Sequence, residues 1–349
     1  MRRLARYWVL PVVALVVLVF MWQRYSEERS SSLPAFGIGP NQEIVRVEMK
    51  GGADGELVLE RQEDGSWLLN EMHATNGPAV NELLTVLDEM LVRRPVSLAS
   101  RQEMDALFME HGISVRVFAS AYRLRLPLGI RLFPFRKLVR SIEVGPDAVD
   151  GVGTAMRLAG EDLYYWVHLP GVEAGLRQVF GSGEDRYRSR LLLELERGDV
   201  HTVSVVLPMK GEMSYSVKTG EDGSLALSLH DGSPVQPEKL NLVRLLRFLR
   251  AFEDLYYDRP VKGQESEKRM ATMLPVPFMV LQISTHAGDL HRFEFYRRLP
   301  PPEINMDPAT NVDFDPDRFY ILTETGEYLL AHYYFFSHVL RPVSFFLEE

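Results

Sequence analysis

The chain of 349 residues has no cysteine. That removes disulfides, thiolate metal sites, a cysteine nucleophile and the lipid-bearing N-terminal cysteine of a bacterial lipoprotein. Positive charge is also in short supply. Thirty-nine Lys and Arg stand against 48 Asp and Glu, a net −9 that argues against a general nucleic-acid binder. Chemical motifs are missing as well: no H-E-x-x-H, G-x-S-x-G, phosphate loop or G-x-G-x-x-G occurs, and in GVGTAM (151–156) Met156 stands where the last glycine belongs. The sequence therefore nominates no catalytic residue and no cofactor. Its nine histidines form no metal set; His286 and His291 flank a hairpin turn, and His332 and His338 lie in an aromatic tail. The nearest approach to a cation loop is VDFDPDRFYILTE (312–324), with Asp313, Asp315, Asp317 and Glu324 at calcium-loop positions. Arg318 takes the place of the glycine that the sharp turn requires, so an acidic loop entering a strand is expected and no metal.

Long apolar runs are confined to the start. Arg2, Arg3 and Arg6 precede YWVLPVVALVVLVFMWQ (7–23), an uncharged run closed by Arg24. Seventeen residues reach roughly 26 Å as a helix, the short end for a membrane span. Trp8 and Trp22 suit the two interfaces, Pro11 falls in a first helical turn, and Phe20 belongs to the apolar run. An uncleaved anchor is expected over 1–25, since no small-x-small site follows; a cleaved signal is the alternative. The arginines before the span put the N-terminus in the cytoplasm and the bulk outside, on a single-pass protein of the inner membrane. Residues 26–40, SEERSSSLPAFGIGP, read as a polar tether. The tail YLLAHYYFFSHVLRPVSFF (328–346) is interrupted by His, Arg and Pro, and reads as a buried terminal element.

The four letters E-D-G-S at Glu63–Ser66 return 158 positions later at Glu221–Ser224. Around them Val45, Val47 and Met49 fall on Val203, Val205 and Leu207, and Leu57 and Leu59 on Tyr215 and Val217, each set alternating as a strand does. Further on, Leu84, Leu87, Met90 and Leu91 fall on Leu242, Leu245, Phe248 and Leu249, an amphipathic helical stripe. Asp-Gly between alternating segments predicts a two-residue hairpin turn in each copy, with Asp54-Gly55 supplying another in the first. Each copy then reads as a three-stranded meander followed by a helix opened at Pro78 or Pro237 and an Arg-Pro at 94–95 or 259–260, the second connection being seven residues longer. Short helices near 101–110 and 265–273, strands, and closing helices at 172–180 and 327–340 complete the reading. The expected class is α+β: a tandem duplication of an antiparallel meander with packed helices, spanning 41–182 and 183–349, after the N-terminal anchor.

IVRV (44–47), LVLERQEDGSWLL (57–69) and the helix AVNELLTVLDEML (79–91) together resemble the bacterial family known as domain of unknown function 4340. The likeness is clearest over 44–110 and weaker in the second copy, where Leu225 replaces Trp67. It implies a membrane-anchored extracytoplasmic protein, some members being encoded beside gliding-motility-type ABC transporter components, and it brings no catalytic residues. The function expected is a non-enzymatic interaction or scaffold protein, held to the membrane by its N-terminal helix and bound to protein partners in a membrane complex. The alternatives are an extracytoplasmic binder of glycan or peptide and a hydrolase using paired carboxylates.

One segment has no counterpart in the second copy. SAYRLRLPLGIRLFPFRK (120–137) corresponds to HAGD (286–289), and it sets Arg123, Arg125, Arg131, Arg136 and Lys137 among Leu, Ile and Phe. An elongated hairpin is one reading. A basic-apolar surface for a partner protein or an anionic membrane face is the other, with the five cations as contact candidates. The acidic, proline-rich stretch 299–317 is a possible mate for it.

Overall fold

Alternation of apolar and polar residues runs through most of the chain, and the fold follows it. The computed structural model describes residues 35–39, 42–52, 55–125, 131–196, 198–220, 222–261, 276–300 and 312–348. The expected anchor with Trp8, Pro11, Phe20 and Trp22, the helix expected near 265–273, Asp54 and residues 301–311 lie outside them. No helix among the described residues is long and apolar enough to cross a membrane.

Strand accounts for 43% of the described residues, in large antiparallel sheets, so the α+β expectation with packed helices is corrected to a mostly β architecture. In the first unit, which ends at Arg188, the elements are β1 (Ile44–Gly52), β2 (Gly55–Arg61), β3 (Trp67–Leu69), β4 (His73–Ala74), α1 (Gly77–Glu89), β5 (Leu91–Pro95), α2 (Arg101–His111), β6 (Ile113–Arg125), β7 (Arg131–Asp147), β8 (Thr154–Leu158), β9 (Tyr165–His168), α3 (Arg177–Gly181) and α4 (Glu184–Tyr187). They form a nine-stranded sheet in the order β4-β3-β2-β1-β6-β7-β8-β9-β5. α1 carries the chain from one edge of the sheet to the other, burying Val80, Leu83 and Leu87 against Val47, Leu59, Val117 and Val167. Complete burial of each such leucine is worth about 2 kcal/mol. Phe36 and Ile38, expected within the tether, belong to the same core, and the Ile38 amide donates to the Leu87 carbonyl at 2.9 Å.

The second unit contains β10 (Leu191–Glu194), β11 (Val200–Val206), β12 (Tyr215–Thr219), β13 (Leu225–Leu229), α5 (Leu242–Arg250), β14 (Asp254–Tyr256), β15 (Arg259–Pro260), β16 (Met279–Thr285), β17 (Leu290–Arg297), β18 (Arg318–Leu322) and β19 (Tyr328–His332). Its main sheet runs β13-β12-β11-β16-β17-β18-β19-β15, the order of the first sheet without the short β4. One expected helix and one expected pair of connections turn out otherwise. Residues 328–332 form β19, because Leu329, Leu330 and Ala331 are all buried between β18 and β15 and so show no strand-like alternation. Arg94-Pro95 and Arg259-Pro260 are not connections after a helix but edge strands, where a proline costs no ladder bond.

Strand pairing also moves the match between the units. A β-bulge between Ile44 and Arg46, facing Ala119 and Phe118, recurs between Val200 and Thr202, facing Thr285 and Ser284. Val47 and Met49 therefore correspond to Val203 and Val205, two residues from the expected match, while Leu59 still corresponds to Val217. The helices shift by seven. Asn76 precedes α1 and donates its amide to the Tyr187 carbonyl; Asn241 precedes α5 and donates to the Phe346 carbonyl. Val80, Leu83 and Leu87 so correspond to Leu245, Phe248 and Phe252, and the seven extra residues lie before α5, not after it.

The E-D-G-S turns differ from the expected type. The Gln62 amide donates to Ser66, the Gly65 amide donates back to Gln62, and only Gly65 has positive φ (+87°): a three-residue turn with a glycine bulge. Four more hairpins among the described residues close the same way, with Gly223, Gly232, Gly288 and Gly326 at the positive-φ position.

Candidate functional site

In the first unit the start of β1, the turn before β3 and the outer side of α1 enclose an open groove of about 750 Å³. Ile44, Trp67 and Leu84, each half-buried against the core, form its floor. Trp67 is held there because β3 is pinned on both sides: Arg61 pairs with Trp67 across the β2–β3 hairpin, and the Thr75 hydroxyl donates to the Trp67 carbonyl at 3.0 Å. The rim is polar, with Asn81, Thr85, Asp88 and Glu89 from α1, and Arg61, whose guanidinium pairs with Glu43 at 2.7 Å. The turn supplies Gly65 and Ser66 to the wall. Asp64 accepts from the Ser66 hydroxyl at 2.7 Å and the Ser66 amide at 2.9 Å, and these bonds hold its carboxyl below the usual carboxylate range.

The second unit has a hollow at the corresponding place, reduced to about 230 Å³. There Val200, Leu225 and Leu249 stand for Ile44, Trp67 and Leu84, and Thr219, Leu246 and Arg250 stand for Arg61, Asn81 and Thr85. A different, apolar cavity of about 720 Å³ in the second unit is lined by Leu207, Met209, Met213, Phe278, Phe314 and Leu340 among others. The Arg297 guanidinium lies 4.7 Å from the centre of the Phe314 ring at its edge.

The basic segment forms the end of a long hairpin. β6 and β7 pair from Ile113↔Val144 out to Arg125↔Arg131, whereas β1 flanks β6 only as far as Ala119 and β8 flanks β7 only from Ile142. Past those points the ribbon has two strands and is exposed, Phe133 to 66%. The five candidate cations are not equivalent. Arg136 pairs with Glu60 of β2, which also holds Arg46 at 2.6 Å; Arg46 binds Glu48 at 2.8 Å, and Glu48 takes Arg116 at 3.1 Å. Arg136 is thus committed to a chain of ion pairs on its own sheet. Arg123 and Lys137 are exposed and make no ion pair among the described residues; the side chains of Arg125 and Arg131 lie outside them.

The other candidates are spoken for. Asp315 is buried, with one carboxylate oxygen 2.5 Å from Arg298 Nη1 and the other accepting the amides of Asp317 and Arg318 at 2.9 and 3.1 Å. That carboxylate closes a turn into β18. No group of three or more metal-ligating side chains comes together among the described residues. A second polar cluster among the described residues is Glu143–Arg157–Tyr164–Asp105: Arg157 binds Glu143 at 2.5 Å and Tyr164 at 3.0 Å, and the Tyr164 hydroxyl donates to Asp105 at 2.5 Å. Burial, reinforced by the Asp105 bond, pushes Tyr164 up to about 12. These carboxylates brace α2 against β7 and β8, and they line neither cavity.

Residues 63–69 were readable as a folding pattern; their part in a groove was not. The cue was the mismatch at Trp67, a large amphipathic ring where the second unit has Leu225. Comparison with protein families, curated proteins and solved structures returns no match.

Proposed function

We propose that the protein is a membrane-tethered, extracytoplasmic interaction protein, whose first unit receives a segment of a partner protein in the groove floored by Trp67. The observation that carries this reading is the groove itself: an indole and two aliphatic side chains in a polar-rimmed trough. A half-buried tryptophan framed by hydrogen-bonding side chains is the kind of anchor on which protein interfaces depend. The N-terminal apolar run supports the tether and the orientation. The likeness to the domain of unknown function 4340 family supports an accessory role beside an ABC-type transport or gliding-motility-like complex. The shared strand order and bulge support an origin by duplication, after which one groove stayed open and its twin filled with aliphatic side chains.

The experiment is crosslinking of the full chain in its native membrane, followed by purification of wild type and Trp67→Ala. A membrane-protein partner recovered with the wild type and reduced at least tenfold by Trp67→Ala is expected. Recovery of a lone monomer from both would refute the reading. A second reading, a binder of peptide or another apolar ligand, is favoured by the cavity around Phe278 and Phe314; Met213→Trp would fill that cavity and abolish such binding without touching the groove.

A further inference from the structure

We propose that the two-stranded arm of β6 and β7 rests on the anionic phospholipid headgroups of the membrane to which the chain is tethered. The inference rests on the tethered reading above and adds a second, separate point of membrane contact.

The arm's two faces differ. Register places Phe118, Ser120, Arg136 and Leu138 on the face that carries the ion pairs, where Arg136 is held by Glu60. Ala119, Ala121, Arg123, Phe133, Phe135 and Lys137 share the opposite face, which prolongs the core side of the sheet past the end of the core. Ala119 is buried, whereas Phe135 is 40% exposed. Beyond the core, then, this face offers two aromatic rings beside two cations that have no ion pair among the described residues. Residues 120–137 contain no Asp or Glu, on a chain of net charge −9. Phe133 holds φ +58°, a left-handed conformation that costs a bulky side chain strain and is kept where the surroundings or a function require it.

Exposed aromatic rings interleaved with cations fit the headgroup layer, where rings sit between hydrocarbon and water while Lys and Arg reach phosphates. Such a ribbon, loose in water, would present an apolar patch with nothing to cover it. The bilayer is also within reach. Described structure begins at Ala35, so about ten residues separate it from the end of the expected span, a reach of up to roughly 35 Å.

The absence of cysteine makes the test clean. Phe135→Cys, Ala121→Cys and, as control, the exposed Met109→Cys of α2 are each labelled with an environment-sensitive fluorophore in the full-length protein. The protein is reconstituted into, or mixed with excess, vesicles of neutral lipid or of neutral lipid with about 30% phosphatidylglycerol. The expected result is an emission rise of at least twofold at 135 with anionic vesicles, quenched by headgroup-proximal quencher lipids and absent at 109. Arg123→Glu with Lys137→Glu should abolish that rise. No response at 135 or 121 in either lipid overturns the proposal, and so does an equal response in neutral vesicles, which would mark the arm as a simple apolar contact. The tether is scored apart, by retention of the protein on neutral vesicles through an alkaline wash. Either claim can fail alone, because added vesicles still report on the arm when the tether does not hold.

Discussion

At Gly65 a single torsion sets a whole hairpin. Its φ of +87° lets the Gln62–Ser66 turn close, and with it the wall of the groove. Gly65→Ala should cost roughly 1–2 kcal/mol in urea denaturation, the cost of left-handed backbone for a residue with a β-carbon. The β3–β4 turn is the reverse case: Asn70 and Glu71 both hold positive φ, +50° and +64°, at the centre of the tight turn that the Met72 amide closes on the Leu69 carbonyl. Glu71 is exposed and ill suited to that torsion, so Glu71→Gly should stabilise the fold by about 0.5–1 kcal/mol. At Asp315 the acidic loop entering a strand is legible in the sequence, but the burial of its carboxylate is not. Its carboxylate is acidic-loop material by spacing but a buried partner of Arg298 by geometry, and Asp315→Ala should destabilise by about 3–5 kcal/mol, with no change in melting on adding millimolar calcium to the wild type. The pH dependence follows from carboxylates held low by their bonds: Asp64, Asp222 and Asp231 to serines two residues on, Asp150 to Arg93, and Glu294 to Tyr296 and Arg292. A carboxylate whose folded value is depressed contributes stability present above its unfolded value and lost as pH falls through the folded one. The urea midpoint should accordingly stay level from neutral pH to about 5 and fall below about 4, near the unfolded carboxylate values. Asp64→Asn combined with Asp222→Asn and Asp231→Asn should shallow that fall.

Elements were more legible than their alignment. Alternation located β1, β2, β11 and β12, and the 3.6-residue stripe located α1 and α5. A slip of two residues preserves alternation, however, and a slip of seven comes to nearly two helical turns. The sequence match could therefore pair Val45 with Val203 and Leu87 with Leu245, although bulge and caps pair Val47 with Val203 and Leu87 with Phe252. Only a feature without that period, such as the asparagine before each helix, fixes the match. The two asparagines make a testable contrast. Asn241 Oδ1 accepts the Arg244 amide at 3.0 Å, so Asn241→Ala should cost about 1 kcal/mol in urea denaturation. The Asn76 side chain makes no such bond and donates instead to the Arg186 carbonyl at 3.3 Å, so Asn76→Ala should cost roughly half as much. β19 was illegible for another reason. Three consecutive buried residues carry neither period, and only its neighbours β18 and β15 make it a strand.

For the molecule as a whole, each unit has its own sheet and its own core: one around Leu83, Leu87 and Val117, the other around Phe248, Phe295 and Phe319. Residues 35–188 and 189–349, expressed separately, should each unfold cooperatively with a defined midpoint. A structureless fragment would show that one core depends on the other chain segment. The groove was beyond the sequence at this scale, because Ile44, Trp67 and Leu84 meet only once the sheet has carried β1 beside the β2–β3 hairpin and α1 has crossed behind it. The corresponding hollow around Leu225 supplies a control within the same chain. A photocrosslinking residue at position 84, in the open groove, and in a second variant at position 249, in its closed counterpart, can be irradiated in the native membrane. The account predicts a discrete adduct with a membrane protein from position 84, lost on Trp67→Ala and absent from position 249. Equal labelling from both positions, or none from position 84, would contradict it.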